Sequence, residues 1–255
     1  MEYAVVTVPA APVRRMARHP SEMVNQLLFG ETVEIIKTKK KGWAKVRSLH
    51  DGYQGWLTRN MLEAVEEKQS GNVSEFVTTD ILAPVTINGK EMQVPFGSSL
   101  PCFSNGTGSI GNLVYLFNGN CANRIDHSAG LNGLLQFATR WLNVPYLWGG
   151  RTPLGADCSW FVQVICKMSG TDLPRDTWQQ AQEGKPIKKI KDAQAGDLAF
   201  FDDRDEIAHV GILLNSHQII HAWGKVRIDA IDRKGIMNAE SGQRTHRLKA
   251  IRRLW

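Results

Sequence analysis

The sequence predicts two small all-β barrels followed by a larger α+β domain. Residues 1–66 and 67–125 contain short β-prone stretches separated by Gly, Asn and Asp turn signals, a pattern typical of small barrels. From residue 126 onward, two helical patterns precede three strand patterns, and helices followed by an antiparallel sheet define the α+β class. A polar stretch at residues 66–72 separates the two predicted barrels.

The composition is that of a globular protein. Of the 255 residues, 42% are hydrophobic and 22% are charged, which excludes a wholly disordered or collagen-like chain. No uninterrupted apolar run reaches the roughly 18 residues of a membrane-spanning helix, so we expect no membrane span. The first eleven residues lack the basic stretch of an intact secretory signal. The compartment therefore stays open: the cell envelope or periplasm if a signal was removed, and otherwise the cytoplasm.

The first predicted barrel has β-prone stretches at residues 4–8, 32–36, 43–47 and 55–57. A dense basic run, part of a net charge of +6, lies in and between the second and third of these stretches: Lys37, Lys39, Lys40, Lys41, Lys45 and Arg47. Such a run could bind nucleic acid or another polyanion. We favour a solvated hairpin that turns at residues 40–42, and we expect no nucleic-acid partner.

The second predicted barrel has its own turn signals. Asn88-Gly89 stands between apolar stretches and strongly predicts a hairpin. The predicted strands lie at residues 76–78, 81–82, 84–87 and 113–117. We interpret this region as a diverged copy of the first barrel.

The third region begins with an amphipathic pattern at residues 130–144, where apolar residues recur at helical spacing until Pro145. A second helix is predicted over residues 158–168. The strands that follow are predicted at residues 198–201, 209–214 and 218–223.

Cys158 has the sequence context of a nucleophile. A Gly- and Pro-rich stretch leads directly into an apolar helical pattern, which places this residue at a helix N-terminus. Because unsatisfied backbone amides and the helix dipole favour an anion there, we expect a lowered thiol pKa. Cys166, inside the same apolar helix, is interpreted as packing, and Cys102 and Cys121 are assigned no role. The spacing of the four cysteines offers no C-x-x-C pair, so we predict no structural zinc site.

A thiolate nucleophile needs a nearby base. A hairpin centred on Asn215 would place His209 directly opposite His221 on one face of a sheet. This pairing suits a base and the residue that orients it. The alternative interpretation is two polar residues that share a face by chance.

Several motifs in this region, in order, resemble those of the NlpC/P60 cysteine peptidases of bacterial cell walls. The resemblance covers residues 128–255 and rests on Tyr146-Leu147-Trp148-Gly149-Gly150, Asp157-Cys158-Ser159, Leu173-Pro174-Arg175, Ala195-Gly196-Asp197-Leu198, His209-Val210-Gly211-Ile212 and Ile220-His221-Ala222. Residues 43–57 resemble the closing strands of a bacterial SH3-like domain. Trp160 departs from the pattern, since the family commonly has Gly there, and this departure puts the pocket shape beside the nucleophile in question.

The resemblance implies a papain-like catalytic domain that acts by acyl transfer. Cys158 would be the nucleophile, His209 the general base and His221 the orienting residue. The backbone amide of Cys158 would bind the oxyanion. The implied mechanism requires no metal and no organic cofactor.

The chain also resembles the subgroup with N-terminal SH3-like domains that cleaves the γ-D-glutamyl bond to a diamino acid in free murein peptides. That resemblance implies that the first barrel forms part of the substrate cleft, and it gives the implied substrate-binding residues as Glu22, Tyr53, Asp157, Ser159, Asp176 and Thr177. Two carboxylates and a phenol suit the free L-Ala amine of such a peptide. Alternative interpretations stay open: Glu22 as a solvated loop residue, Tyr53 as a core residue and Asp157 as a helix cap.

The sequence therefore predicts a monomeric endopeptidase that acts on L-Ala-γ-D-Glu-diaminopimelate in cell-wall peptide recycling. Two rivals remain. One is a hydrolase of intact peptidoglycan that the SH3-like domains anchor to the wall. The other is a wall-binding module whose papain-like domain is inactive or transfers acyl groups to lipid.

Overall fold

The computed structural model describes residues 2–67, 74–124, 130–203 and 206–255. These residues form mostly β-strands, with few helices. The chain divides into two compact units: residues 1–127 with 148–153, and residues 128–147 with 154–255. Most of the predicted linker at residues 66–72 and the boundary at 125–126 lie outside the described residues, so the three predicted domain limits stay predictions.

The first unit begins with a seven-stranded antiparallel sheet of order β3-β2-β6-β5-β4-β1-β7. Its strands are β1 Glu2–Val6, β2 Ala10–Arg14, β3 Met23–Leu28, β4 Thr32–Lys39, β5 Trp43–Ser48, β6 Gln54–Thr58 and β7 Leu62–Val65. Because successive side chains of a strand point to opposite faces, alternate residues such as Val6, Val33 and Leu57 fill a buried core. The predicted all-β character is confirmed, although β1 lies two residues earlier than predicted.

The basic run forms the hairpin that the sequence predicts. Lys39 pairs with Trp43, and the turn between them contains Lys41 and Gly42, both with positive φ. Two of the basic side chains have partners within the same sheet. The Lys39 Nζ atom lies 4.6 Å from the centre of the Trp56 ring, and Arg47 pairs with Glu34.

The second β region of this unit contains a four-stranded sheet of order β10-β9-β12-β11 and a separate pair, β13-β8. The strands are β8 Phe76–Thr78, β9 Leu82–Ile87, β10 Lys90–Pro95, β11 Thr107–Ile110, β12 Leu113–Phe117 and β13 Cys121–Asn123. Asn88 and Gly89 both have positive φ and connect the paired residues Ile87 and Lys90. The predicted Asn-Gly hairpin is therefore confirmed.

The two β regions of this unit share one buried cluster. Val5 from the first sheet and Phe29, in the turn after β3, pack with Ala83, Val94 and Tyr115 from the second sheet. The Phe29 and Tyr115 rings meet edge to face, with centroids 5.4 Å apart. This common core explains why residues 1–127 form a single unit.

A short segment from the middle of the chain, residues 148–153, also belongs to the first unit. It contains β14 Arg151–Thr152. The guanidinium of Arg151 makes a bidentate ion pair with Glu31, at 2.9 and 2.7 Å, and both side chains are almost fully buried. The Arg151 backbone N–H donates to Gln26 Oε1 at 2.7 Å. Because a buried charge needs such partners, this ion pair fixes the segment against β3, which the sequence analysis did not anticipate.

The described residues of the second unit form three α-helices and a closed antiparallel sheet. Its helices are α1 Gly130–Thr139, α2 Cys158–Met168 and α3 Thr177–Gln180. Its strands are β15 Gly155–Ala156, β16 Lys185–Pro186, β17 Leu198–Asp203, β18 Glu206–Asn215, β19 Gln218–Trp223, β20 Lys225–Asp232, β21 Gly235–Met237 and β22 Arg244–Arg253. The sheet order is β16-β22-β17-β18-β19-β20-β21, and an additional β21–β22 pairing closes strands β17 to β22 into a barrel.

Helix α1 is shorter than predicted. It ends at Thr139 instead of extending to residue 144. Beyond it, Asn143 takes a positive φ and its backbone N–H donates to the Val226 carbonyl at 2.8 Å. Backbone pairing with β20 therefore replaces the last predicted helical turn.

Helix α2 has the predicted bounds and is buried along its entire length. Trp160 is fully buried on this helix and packs edge to face against Trp141, with ring centroids 5.0 Å apart. The large side chain at a position where the resemblance implies Gly thus belongs to the core of this unit. Within the part of the chain that the structure describes, no helix is long and apolar enough to cross a membrane.

We expect Trp160→Ala to lower the free energy of unfolding by about 3–5 kcal/mol, because it removes a fully buried indole and leaves a cavity. The matched control is Trp178→Ala, which truncates a tryptophan that is 58% exposed and should cost well under about 1 kcal/mol. Urea denaturation of both variants measures the difference. Equal losses would contradict the packing role of Trp160.

Candidate active site

The predicted nucleophile is the first residue of α2. Asp157 precedes it as the helix cap, and its Oδ1 atom accepts a hydrogen bond from the Trp160 backbone N–H at 2.8 Å. The Cys158 side chain is buried, and α2 packs against β18. The backbone N–H of Val210 and the hydroxyl of Thr177 both hydrogen-bond to the thiol. Cys158 thus lies beside the residue that follows His209.

The expectation of a lowered thiol pKa is wrong for this state of the protein. Burial raises the pKa of Cys158 to about 11, and the charge of Asp157 adds to this effect. The hydrogen bonds from Val210 and Thr177 and the charge of Arg175 act in the opposite direction but are weaker. Burial is the largest of these effects, and a thiol whose pKa is raised this far is neutral at pH 7.

The two predicted histidines are in contact, although the predicted register is wrong. His221 on β19 pairs with Gly211 on β18, two residues from the predicted partner His209. The shift arises because the hairpin turns at residues 216–217, between the paired residues Asn215 and Gln218, and is not centred on Asn215. Because a shift of two residues preserves the face of a strand, the histidines still share one side of the sheet. His209 Nε2 and His221 Nδ1 are 2.8 Å apart.

Gly211 makes room for this pair. A Cβ atom at this position would lie 2.7 Å from the Cβ of His221, closer than side chains normally approach. The absence of a side chain at Gly211 therefore allows the His221 ring to lie against β18.

Asp229 on β20 extends the pair to a third group that the sequence analysis missed. His221 Nε2 lies 3.0 Å from Asp229 Oδ2, and both side chains are fully buried. Burial alone would raise the pKa of Asp229, but hydrogen bonds from His221, the Ala239 N–H and Arg227 outweigh burial and lower it to about 2. Arg227 and Asp229 are two residues apart, as residues on one face of a strand are, and this spacing could have indicated β20. The pairing of β20 with β19 was not predicted.

A third histidine, also missed by the sequence analysis, completes the cluster. His246 on β22 stacks on His209 with ring centroids 4.3 Å apart, and Trp223 meets His246 edge to face at 4.5 Å. β22 reaches the other strands of the cluster through the closure of the barrel, so no short-range sequence pattern could place His246 here.

All three histidines are neutral at pH 7. Burial, with the charges of His221 and His246, places the pKa of His209 well below its usual range. Burial also lowers the pKa of His221, although Asp229 opposes the shift. The pKa of His246 falls to about 4 for the same reason. The resting site therefore pairs a neutral thiol with neutral imidazoles.

Asp157, a predicted substrate-binding residue, takes part in a buried ion pair. Arg175 Nη2 lies 2.5 Å from its Oδ2 atom, and Arg175 Nη1 donates to the Ser159 hydroxyl at 2.7 Å. The hydrogen bond from the Trp160 backbone N–H confirms the interpretation of Asp157 as a helix cap, and the ion pair with Arg175 is an additional contact. Arg175 lies in the Leu173-Pro174-Arg175 motif, yet its ion pair with Asp157 was not predicted.

The remaining candidates of this unit lie at the start of α3. The Asp176 backbone N–H donates to Gln179 Oε1 at 3.3 Å, and Thr177 is the residue whose hydroxyl contacts Cys158. Tyr146 also lies close to this group, since burial followed by the charges of Cys158 and Asp157 raises its pKa.

Glu22 and Tyr53 belong to the first unit. Glu22 Oε1 accepts a hydrogen bond from Trp148 Nε1 at 2.9 Å, and Glu22 Oε2 pairs with Arg15 Nε at 2.8 Å. Glu22 lies in the loop just before β3 and its side chain is 41% exposed, which confirms the interpretation as a solvated loop residue, although the residue also has these two partners. Tyr53 is half-buried, outside the core of the sheet, and its hydroxyl lies 3.5 Å from the Val24 carbonyl.

Within residues 2–67, 74–124, 130–203 and 206–255, no group of three or more His, Cys, Asp or Glu side chains has an arrangement that could hold a metal ion.

Two parts of the chain match known protein families. Residues 143–244 match the NlpC/P60 family, and residues 13–62 match the bacterial dipeptidyl-peptidase SH3 domain. The chain thus contains an NlpC/P60 domain and, N-terminal to it, a bacterial SH3 domain.

The chain is also similar to individual proteins over most of its length. It is 28% identical to a gamma-D-glutamyl-L-lysine dipeptidyl-peptidase of Bacillus subtilis, covering 77% of this chain and 71% of that protein. It is 28% identical to a protein of the same name from Bacillus cereus, covering 89% and 76%. A crystal structure of an NlpC/P60 family protein from Bacillus cereus superposes with a TM-score of 0.80 at 22% identity, covering 99% of both chains, and shows the same fold.

We expect the stability of the protein to fall as the pH decreases from 6.5 to about 4.5. Buried histidines whose folded pKa is depressed stay neutral in this range, whereas those of the unfolded chain bind protons, so protonation favours unfolding. The depressed pKa of His246 alone accounts for a decrease of at most about 3 kcal/mol in the free energy of unfolding over this pH range.

Urea midpoints at pH 7.0, 5.5 and 4.5 measure the loss. His246→Phe keeps an aromatic ring but removes one titrating group, so it should flatten the pH dependence. A midpoint that does not change across this range would contradict the burial of neutral histidines.

Proposed function

We propose that this protein is a cysteine peptidase that hydrolyses the bond between γ-D-glutamate and a diamino acid in murein peptides with a free N-terminal L-Ala. The observation that carries the proposal is the buried cluster in which Cys158 lies beside the strand of His209, and His209 contacts His221. The relatives named as gamma-D-glutamyl-L-lysine dipeptidyl-peptidases support this substrate class. The predicted third residue is meso-diaminopimelate.

The protonation states of the cluster constrain the chemistry. With a thiol pKa of about 11 and a neutral His209, no stable thiolate–imidazolium pair exists before substrate binds. The thiol proton therefore passes to His209 as sulfur attacks the carbonyl carbon. The resulting imidazolium gives this proton to the leaving amine of the diamino acid, and His209 then activates the water that releases the acid.

The backbone amide of Cys158 is the proposed oxyanion donor. It lies in the first turn of α2, where N–H groups have no helical acceptor. Within the described parts of the chain, no protein group accepts a hydrogen bond from this amide. An N–H group that is free in the resting site is available to the carbonyl oxygen of a bound substrate.

The proposal also covers the finer structural assignments. The helix that carries Cys158 packs against the barrel that carries the histidines, as expected for a papain-like domain. Residues 67–125 are proposed as a diverged SH3-like domain between the first, residues 1–66, and the peptidase domain, residues 126–255. The proposed enzyme is monomeric and acts in cell-wall peptide recycling.

We expect Cys158→Ala to lower kcat for L-Ala-γ-D-Glu-diaminopimelate by at least about 10⁴-fold, because the covalent route is lost. The matched control is Cys166→Ala, a buried cysteine on the same helix, which should retain activity. Peptide products are measured by mass spectrometry, with the L-lysine peptide as a second substrate. Full activity of Cys158→Ala would overturn the mechanism, and preferential cleavage of intact sacculi would replace this function with wall hydrolysis.

A second prediction concerns recognition of the free amine, for which Glu22, Tyr53 and Asp157 are the proposed ligands. Ser159, Asp176 and Thr177 are proposed as further substrate contacts. Glu22→Gln should raise KM for the free-amine peptide about tenfold, because it removes one carboxylate ligand of the amine. Acetylation of the substrate amine should cost the wild type a similar amount or more. Glu34→Gln is the matched control, since Glu34 pairs with Arg47 on the same sheet. Equal cleavage of free and acetylated peptides would contradict this specificity.

A further inference from the structure

Three buried groups on adjacent strands of the barrel form one hydrogen-bonded chain. His209 on β18 contacts His221 on β19 through Nε2 and Nδ1, at 2.8 Å. His221 in turn contacts Asp229 on β20 through Nε2 and Oδ2, at 3.0 Å. Each neutral imidazole has one N–H that donates and one lone pair that accepts. The direction of donation along these hydrogen bonds is therefore set by the group at the end of the series.

Asp229 forms that end, and all its neighbours donate. Its Oδ1 atom accepts from the Ala239 backbone N–H at 2.8 Å and from Arg227 Nη2 at 3.0 Å. Arg227 Nε lies 2.8 Å from Oδ2. An ionised carboxylate only accepts hydrogen bonds, so His221 must present Nε2–H to it.

This requirement determines both tautomers in sequence. With its proton on Nε2, neutral His221 has an unprotonated Nδ1 and can only accept from His209. His209 must then carry its own proton on Nε2, which leaves Nδ1 with the lone pair. Among the residues that the structure describes, no protein donor or acceptor hydrogen-bonds to His209 Nδ1.

We propose that Asp229 is a positioning residue that, through His221, holds His209 in the tautomer whose Nδ1 atom accepts the thiol proton. This inference rests on the proposed function, since it assigns a base to the same nucleophile. Asp229 itself contacts neither the thiol nor the substrate.

The proton balance is simple. The proton leaves Cys158 Sγ and binds His209 Nδ1, while the Nε2–H of His209 and of His221 stay in place. The positive charge formed on His209 then lies one imidazole away from the negative charge of Asp229. Three other charged or titratable groups face these hydrogen-bonded side chains among the described residues. They are Arg227 on β20, Glu240, which pairs with Arg227, and His246 on β22.

Asp229→Asn tests this role with almost no change in shape. Oδ1 accepts from two groups that can only donate, the Ala239 N–H and Arg227 Nη2, whereas Arg227 Nε has no hydrogen-bond partner among the described residues, so the amide oxygen keeps the Oδ1 position. The amide NH₂ then occupies the Oδ2 position and donates to His221 Nε2. This reverses both tautomers and places a proton on His209 Nδ1, which can no longer act as the base.

We expect Asp229→Asn to lower kcat by about 10³–10⁴-fold with KM nearly unchanged, as expected when a wrong tautomer removes the base. The alkylation rate of Cys158 by iodoacetamide at pH 8 should fall at least about tenfold, and this readout needs no substrate. The matched control is Asp232→Asn, which removes an exposed, Arg244-paired carboxylate from the same strand and should leave both rates unchanged.

Nitrogen chemical shifts of the wild-type histidines test the inference even if the variant fails to fold. His209 and His221 should both carry the proton on Nε2 in the wild type and on Nδ1 in Asp229→Asn. A wild-type His209 with its proton on Nδ1, or an unchanged alkylation rate in Asp229→Asn, would overturn the inference. If the tautomers and alkylation behave as expected but no murein peptide is cleaved, the inference stands and the proposed function fails.

Discussion

The candidate active site is organised around one buried negative charge. Asp229 has a fully buried side chain, and an isolated carboxylate there would be very costly without donors. Arg227, the Ala239 N–H and His221 provide these donors and keep the group ionised. The same low-polarity surroundings keep the histidines neutral and the Cys158 thiol protonated. In the proposed mechanism, the thiol proton therefore passes to His209 during attack, without a preformed ion pair.

Backbone geometry brings these side chains together. β18, β19 and β20 are neighbours in the sheet, so His209, His221 and Asp229 come from three consecutive strands. Gly211 admits the His221 ring, and Gly235 lies directly against the His246 carbonyl, where a side chain has no space. The β21–β22 pairing then brings His246 onto His209. The site is thus a product of barrel closure as much as of residue identity.

The first unit solves a similar problem of buried charge in a different way. Arg151 and Glu31 are both almost fully buried and neutralise each other through two hydrogen bonds. This pair, with the bond to Gln26, fixes a segment that is distant in sequence against β3. Because breaking a buried ion pair leaves an unpaired charge, the segment cannot leave this position without a large energetic cost.

Features that depend on neighbouring residues could be read from the sequence. The start of α2 at Cys158, the Asn88-Gly89 hairpin and β19 were predicted because capping, turn and strand signals act over a few residues. The shared face of His209 and His221 was also predicted, since it depends only on strand parity. Their register was not, because the turn lies at residues 216–217 and the sequence Asn215-Ser216-His217 does not by itself fix the centre of the hairpin.

The sequence by itself thus determined the β-rich organisation, the helix that presents Cys158 and the family resemblance. Only the tertiary structure decided that Asp229 ends the histidine chain, that His246 stacks on His209 and that Arg175 pairs with Asp157. It also decided that the pKa of Cys158 rises instead of falling. The physical reason is common to all four: long-range strand pairing and burial set the contacts and desolvation of a side chain, and neither is encoded by adjacent residues.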